Sequence, residues 1–101
     1  MWYIYIVQCS DESLYCGITK DVLGRVKKHN TGKGAKYTRS RCPVSLVDFS
    51  PVSTSKSDAL KIEHAFKRLS RKKKIDTLST GVSFFVLDYF CMNKKNQGVS
   101  N

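Results

Sequence analysis

The sequence predicts one small α+β domain, and three observations carry that reading. Residues 3–19, YIYIVQCSDESLYCGIT, alternate in two runs around a polar break. Residues 44–52, VSLVDFSPV, are a short β-rich run bracketed by Pro43 and Pro51. Ala59, Ile62, Ala65, Phe66 and Leu69 form an apolar stripe at helical spacing. Period 2 marks strands and period 3.6 marks helices, because side chains alternate across a strand and recur every turn on a helix.

The first stretch reads as a β-hairpin. Trp2, Ile4 and Ile6 fall on one parity and Tyr3, Tyr5 and Val7 on the other; beyond the break, Leu14, Cys16 and Ile18 alternate with Tyr15, Gly17 and Thr19. Tyr5 and Tyr15 share a face only if paired residue numbers sum to an even number. A three-residue loop at Asp11–Ser13 meets that condition and keeps the aliphatic residues together. A two-residue turn at Asp11-Glu12 separates the rings. The three-residue loop calls for a left-handed residue, and no glycine is present there to supply it.

Length and charge bound the rest. The 101 residues suit one domain with a modest core. No apolar run approaches the 18 residues of a membrane span, and no basic region followed by a long apolar segment marks a signal peptide. Cys9, Cys16, Cys42 and Cys91 make no C-x-x-C pair and no zinc-ligand spacing, which suits reduced thiols in a cytoplasmic, non-secreted protein. The net charge of +10, from 18 Lys+Arg against 8 Asp+Glu, is clustered and suits a polyanionic partner. No helix pairs a broad apolar face with its lysines, so no membrane role is expected.

Taken in order, Thr19 or Asp21 can cap a helix that carries Val22 and Val26 inward, with Arg25 and His29 one turn apart on a single face. Gly24 weakens that helix and implies a close approach. Gly32 can close it in the left-handed conformation. Residues 31–43, TGKGAKYTRSRCP, read as a flexible basic loop. Together with Lys28 of the preceding helix, its Lys33, Lys36, Arg39 and Arg41 can meet phosphates, and Tyr37 offers a ring for stacking. After the third strand, Ser55 and Asp58 resemble a capping box for the striped helix, and Glu63 lies at the border of its apolar stripe. Ser70 can cap a short basic helix ending near Leu78. Residues 82–91, VSFFVLDYFC, fit either a strand or a helix packed under the sheet, and residues 93–101 read as a disordered tail. The division expected is a domain over 1–80 and an extension over 81–101.

Tyr3-Ile4-Tyr5 followed by Tyr15-Cys16-Gly17 resembles the paired motif of the GIY-YIG nuclease superfamily, departing from it at Tyr3 and Cys16. The resemblance runs from about Tyr3 to Leu78. Its segments LYCGIT, RVKKHN, GKGAKYTR and EHAFKRLSR are similar to the small single-domain branch. The resemblance implies a three-stranded antiparallel sheet flanked by helices and metal-dependent hydrolysis of DNA, with Tyr5, Tyr15, Arg25, His29 and Glu63 as catalytic residues. Glu63 would hold Mg²⁺ or Mn²⁺, Arg25 would fork onto phosphate oxygens, and one tyrosine would orient or deprotonate water. A free phenol, with a pKa near 10, needs help from a cation or from His29. Some members carry a lysine three residues after the second tyrosine; Ile18 stands there.

The expected activity is therefore an endonuclease selective for strand or branch structure, since no separate DNA-reading domain is attached. RNA stays open as a substrate, and some relatives act with a partner subunit. The competing reading is a nucleic-acid-binding module without catalysis, in which the tyrosines stack bases. The joint presence of Tyr5, Tyr15, Arg25, His29 and Glu63 favours the enzyme, because a carboxylate facing phosphate serves no purpose in simple binding.

Overall fold

The computed structural model describes residues 1–99, with side-chain surroundings as far as Met92. Three strands, β1 (Trp2–Gln8), β2 (Leu14–Thr19) and β3 (Ser45–Ser53), form an antiparallel sheet of order β2-β1-β3. Helix α1 (Val22–Asn30) and the short α2 (Lys36–Arg39) lie between β2 and β3; α3 (Lys56–Lys67), α4 (Arg71–Thr80) and α5 (Val82–Val99) follow. This is the α+β class read from the sequence. Pro51 is tolerated inside β3 because that strand is an edge, where a missing N–H costs little.

The hairpin adopts the even register: Tyr5 lies opposite Gly17 and Val7 opposite Tyr15. The turn itself is one residue earlier than expected. Cys9 N–H donates to the Ser13 carbonyl at 2.8 Å, so the loop is Ser10–Glu12 rather than Asp11–Ser13. Parity survives this shift, and Glu12 takes the left-handed position at φ 68°. Asp11 stabilises the turn by accepting from Ser13 N–H at 3.0 Å, a local bond that its short side chain favours.

The two faces of the sheet divide by residue parity. Ile4, Ile6 and Cys16 point toward α3 and α5, where Ile62, Phe66, Val82 and Val86 complete the main core. Tyr5 and Val7 point to the other face, covered by Val22 of α1 and by Val44. Helix α5 thus resolves the alternative left open for residues 82–91, and its first turns share the core of residues 1–80. Its start is held by Asp48, whose carboxylate accepts from Val82 N–H at 2.8 Å. Helix α5 runs to Val99, across part of the stretch 93–101 that composition reads as a disordered tail. Residues 100 and 101 lie outside the described residues.

Local caps explain other elements. Asp21 begins α1 by accepting from Gly24 N–H at 3.1 Å, and a side chain at Gly24 would collide with that carboxylate. The expected capping box at α3 is replaced by another arrangement. The Ser55 side chain makes no cap bond; Ser53 Oγ donates to Asp58 at 2.8 Å and accepts from Ser55 N–H at 3.0 Å.

Candidate active site

Two tyrosines on one face of the hairpin begin the site. Tyr5 is 1% exposed and its ring lies across Gly17, its partner on β2. A Cβ at residue 17 would sit 2.5 Å from the Tyr5 hydroxyl oxygen and 2.7 Å from Cζ, so the glycine makes room for the ring. Tyr15, on the edge strand, is half-buried. Helix α1 delivers His29 between them: its ring centroid is 5.8 Å from that of Tyr5 and 5.3 Å from that of Tyr15.

Burial governs this pair of groups. His29 is fully buried. Its Nε2 lies 2.8 Å from the Tyr5 hydroxyl, and its Nδ1 lies 2.7 Å from Thr38 Oγ1. Desolvation pushes the Tyr5 phenol up to about 12; the Arg25 guanidinium beside it pulls the other way without cancelling the effect. Desolvation, and then the charge of Arg25, hold the His29 pKa below its usual 6.5. Near neutral pH both groups are therefore uncharged, and Tyr5 is unsuited to be the water-activating base. The half-buried Tyr15 is the phenol that solvent can reach.

Around the edge of β2 the environment changes. Helix α3 packs on the opposite face of the sheet, yet its outer edge brings Glu63 and Lys67 toward Tyr15. Lys67 Nζ lies 3.7 Å from Glu63 and 5.5 Å from the centroid of the Tyr15 ring, so this lysine links the carboxylate to the tyrosine. A cavity of about 310 Å³ opens here, lined by Leu14, Tyr15, Tyr37, Phe66, Lys67 and Lys74. Beneath it Cys16 is an inert thiol: burial, then the charge of Glu63, push it up to about 12 despite the two lysines.

The expected residues fall into three groups. Tyr5, Arg25 and His29 meet on the α1 side. Tyr15 stands at the sheet edge between them and Glu63. The basic residues differ in how far they are engaged. Lys28, Lys33, Lys36 and Arg39 are exposed. Arg41 is instead engaged: it donates to Asp11 at 2.9 Å and to the Tyr37 carbonyl at 2.7 Å, and its guanidinium lies 4.0 Å over the Tyr37 ring. Tyr37 also stacks on Tyr15, with centroids 5.9 Å apart and planes inclined by 23°. The loop read as flexible is thus pinned. Gly34 packs so closely on His29 that a side chain there would strike the imidazole. Thr38, Lys67 and Lys74 were missed. Lys67 was recoverable, since it lies one turn beyond Glu63; Thr38, inside a loop, has no periodic signature.

Among the described residues no group of three His, Cys, Asp or Glu side chains comes together. A zinc cage is therefore not on offer. Glu63, 20% exposed and in a loose ion pair with Lys67, fits a hard cation that takes one carboxylate and fills its remaining positions with water and substrate phosphate, as Mg²⁺ does.

Comparison with known proteins gives the family. The GIY-YIG catalytic domain matches residues 1–76. The chain belongs to the GIY-YIG family. That is a superfamily of nucleases, generally metal-dependent, and it implies a nucleic-acid substrate. A UPF0213 protein of Haloquadratum walsbyi is 58% identical over 72 residues, covering 71% of this chain and 80% of that one. One from Staphylococcus saprophyticus is 52% identical over 79 residues, covering 78% and 95%. Among solved structures, the solution structure of a UPF0213 protein from Bacillus halodurans is 48% identical, with TM-score 0.52 and coverage of 79% and 85%. A protein from E. faecalis is 41% identical, with TM-score 0.53 and coverage of 77% and 82%. These relatives place the chain in the small single-domain branch of GIY-YIG proteins.

Proposed function

We propose that this GIY-YIG protein is a metal-dependent endonuclease that hydrolyses DNA phosphodiester bonds, reading strand or branch structure rather than a long sequence. The observation that carries the reading is the position of Tyr15. It stands on an edge strand with His29 against one edge of its ring and the Lys67–Glu63 pair on the side of α3. A binding module has no use for a carboxylate at that place.

Each residue then has a task. Tyr15 is reachable by solvent and orients the attacking water. Arg25 offsets charge that grows on the phosphate as the bond breaks. Tyr5 and His29, buried and neutral, hold that guanidinium in place. Lys67 and Lys74 draw the strand into the cavity beside Tyr15, and Lys28, Lys33, Lys36 and Arg39 hold its flanking phosphates. Glu63 would hold Mg²⁺ or Mn²⁺, which supplies stabilisation of the leaving oxygen. Four unpaired cysteines suit the reducing cytoplasm.

Labelled single-stranded, duplex, flap and four-way DNA, with an RNA control, should be incubated with Mg²⁺, Mn²⁺ or EDTA. Cutting that requires metal and is lost in Glu63→Ala, with binding preserved, is the expected result. Binding without cutting on every substrate would sink the nuclease assignment, and equal cutting of RNA would widen the substrate.

A further inference from the structure

We infer that Thr38 is a positioning residue: its hydroxyl fixes His29 in the Nδ1-protonated form and, through His29 and Tyr5, sets the acceptor that faces Arg25. The tautomer follows from counting protons. A threonine hydroxyl carries one, and Thr38 Oγ1 donates it to the Ala35 carbonyl at 2.9 Å. Toward His29 Nδ1, 2.7 Å away, Thr38 can then only accept, so Nδ1 carries the hydrogen. In a neutral imidazole Nε2 is then a bare acceptor, and the Tyr5 hydroxyl donates to it at 2.8 Å. Having given its single proton to His29, the Tyr5 oxygen has only lone pairs left to offer the Arg25 guanidinium beside it.

All three bonds point the same way, from Tyr5 through His29 and Thr38 to a backbone carbonyl. His29 and Thr38 are fully buried and Tyr5 nearly so, so no water competes for these atoms. Aligned bonds in a dry environment polarise one another and hold their direction. In the reverse tautomer Tyr5 could still accept from Nε2–H with its own hydrogen turned away, but Nδ1 would face an oxygen whose single hydrogen is needed by the Ala35 carbonyl.

The position of Thr38 gives this arrangement a consequence. It belongs to α2, in the loop that exposes Lys33, Lys36 and Arg39. The same loop closes on His29 through Cys42, whose Sγ donates to the His29 carbonyl at 2.9 Å. One segment therefore presents cations to phosphate and fixes the direction of the hydrogen bonds that end at Tyr5, beside Arg25. The tautomer assignment stands independently of the nuclease reading; the catalytic consequence rests on it.

The test uses the full chain and two substitutions, Thr38→Val, which keeps the shape, and Thr38→Ser, which keeps the hydroxyl. Nitrogen NMR of the histidine rings reports the tautomer directly, with His64→Gln assigning the His29 signals. Wild-type protein should show Nδ1 protonated and Nε2 bare. Thr38→Val should populate the Nε2-protonated form and lower kcat roughly 10- to 100-fold, as small misplacements of catalytic groups do. Its KM and DNA affinity should stay within about twofold of wild type. Thr38→Ser should restore both tautomer and turnover. An Nε2-protonated His29 in the wild type overturns the inference even if Thr38→Val fails to fold. So does a Thr38→Val variant that keeps the Nδ1 proton, or one whose loss lies in KM alone. A wild-type protein that cuts nothing but shows the Nδ1 proton would remove the nuclease assignment and leave the tautomer lock in place.

Discussion

The two faces of one three-stranded sheet are built by opposite rules. The face carrying Ile4, Ile6 and Cys16 is closed by Ile62, Phe66, Val82 and Val86, and hydrophobic burial holds it. The other face is also dry, yet at its centre lie a phenol, an imidazole and a hydroxyl, each with a hydrogen-bond partner. No buried side-chain polar atom among the described residues lacks a partner. The first face tolerates any side chain of suitable volume. The second tolerates only groups that donate and accept in the right order, because a buried polar atom left alone costs more than a typical hydrogen bond contributes. Stability is concentrated on one face and chemistry on the other, with Tyr15 at the edge between them.

Substitutions on each face can break that division. The largest stability loss is expected from Phe66→Ala, which empties a fully buried position of the main core. Such truncations cost about 3–5 kcal/mol, a large share of the roughly 5–15 kcal/mol that holds a domain together. Urea titration should show a lower midpoint, with cleavage per folded molecule lowered less than by loss of a polar-face group, since Phe66 lines the cavity beside Tyr15 without offering it a polar atom. Tyr5→Phe should cost less, about 1–3 kcal/mol, since packing is kept and His29 Nε2 merely loses its donor. Its turnover should nonetheless fall far more than that of the Phe66 variant. If Tyr5→Phe matched wild type in turnover, the polar face would be ordinary core and the contrast would fail.

The two faces were not equally legible in the sequence. The apolar face could be read from periodicity alone: Ile4, Ile6, Cys16, Ile62 and Phe66 all lie at positions that strand alternation or the helical stripe predicts. The even register was legible as well, since only it puts Tyr5 and Tyr15 together. The turn was displaced by one residue because Asp11 hydrogen-bonds locally, a choice that parity leaves free. Residues 82–91 were ambiguous because a short apolar run suits a strand and a buried helix equally. On the polar face, Tyr5, His29 and Arg25 were found through motif spacing, whereas Thr38 and the constraint at Gly34 were not. Both arise where a loop folds back on a helix, and no sequence period encodes such a return. The basic loop looked flexible from its glycines, yet Gly34 is there because His29 fills the space a side chain would need.

Acidity should act through His29 on the polar face, and alkalinity through Tyr5 there and Cys16 on the other face. A His29 pKa held below 6.5 means that the folded chain binds fewer protons than the unfolded one just below that pH. Stability from this group is present above about pH 6.5 and is lost as pH falls through the folded value. Tyr5 has the opposite sign: its phenol rises from 10.0 to about 12, so its contribution is full below pH 10 and is lost as pH climbs toward 12. The buried Cys16 thiol, raised from 9.0 to about 12, has the same sign as Tyr5, so thermal unfolding followed from pH 5 to 11 should show a plateau between about pH 6.5 and 9. Tyr5→Phe should remove the alkaline fall specific to this site, and an unchanged alkaline limb would mean that the phenol is not held neutral by burial.

The smallest effects belong outside both faces, on the exposed loop. Lys36 is solvent-exposed, whereas Arg41 is tied to Asp11, to the Tyr37 carbonyl and to the Tyr37 ring. If the loop meets DNA through free cations alone, Lys36→Ala should lower the slope of log affinity against log salt by about 0.7–0.9, the contribution of one phosphate contact. Arg41→Ala should leave that slope almost unchanged and disturb the stack of Tyr37 on Tyr15. Filter binding across a salt series measures the first effect, and near-ultraviolet circular dichroism of the tyrosines measures the second. Equal slope changes from both substitutions would show that Arg41 leaves its partners when DNA arrives, and the loop would then have to be counted as a moving part.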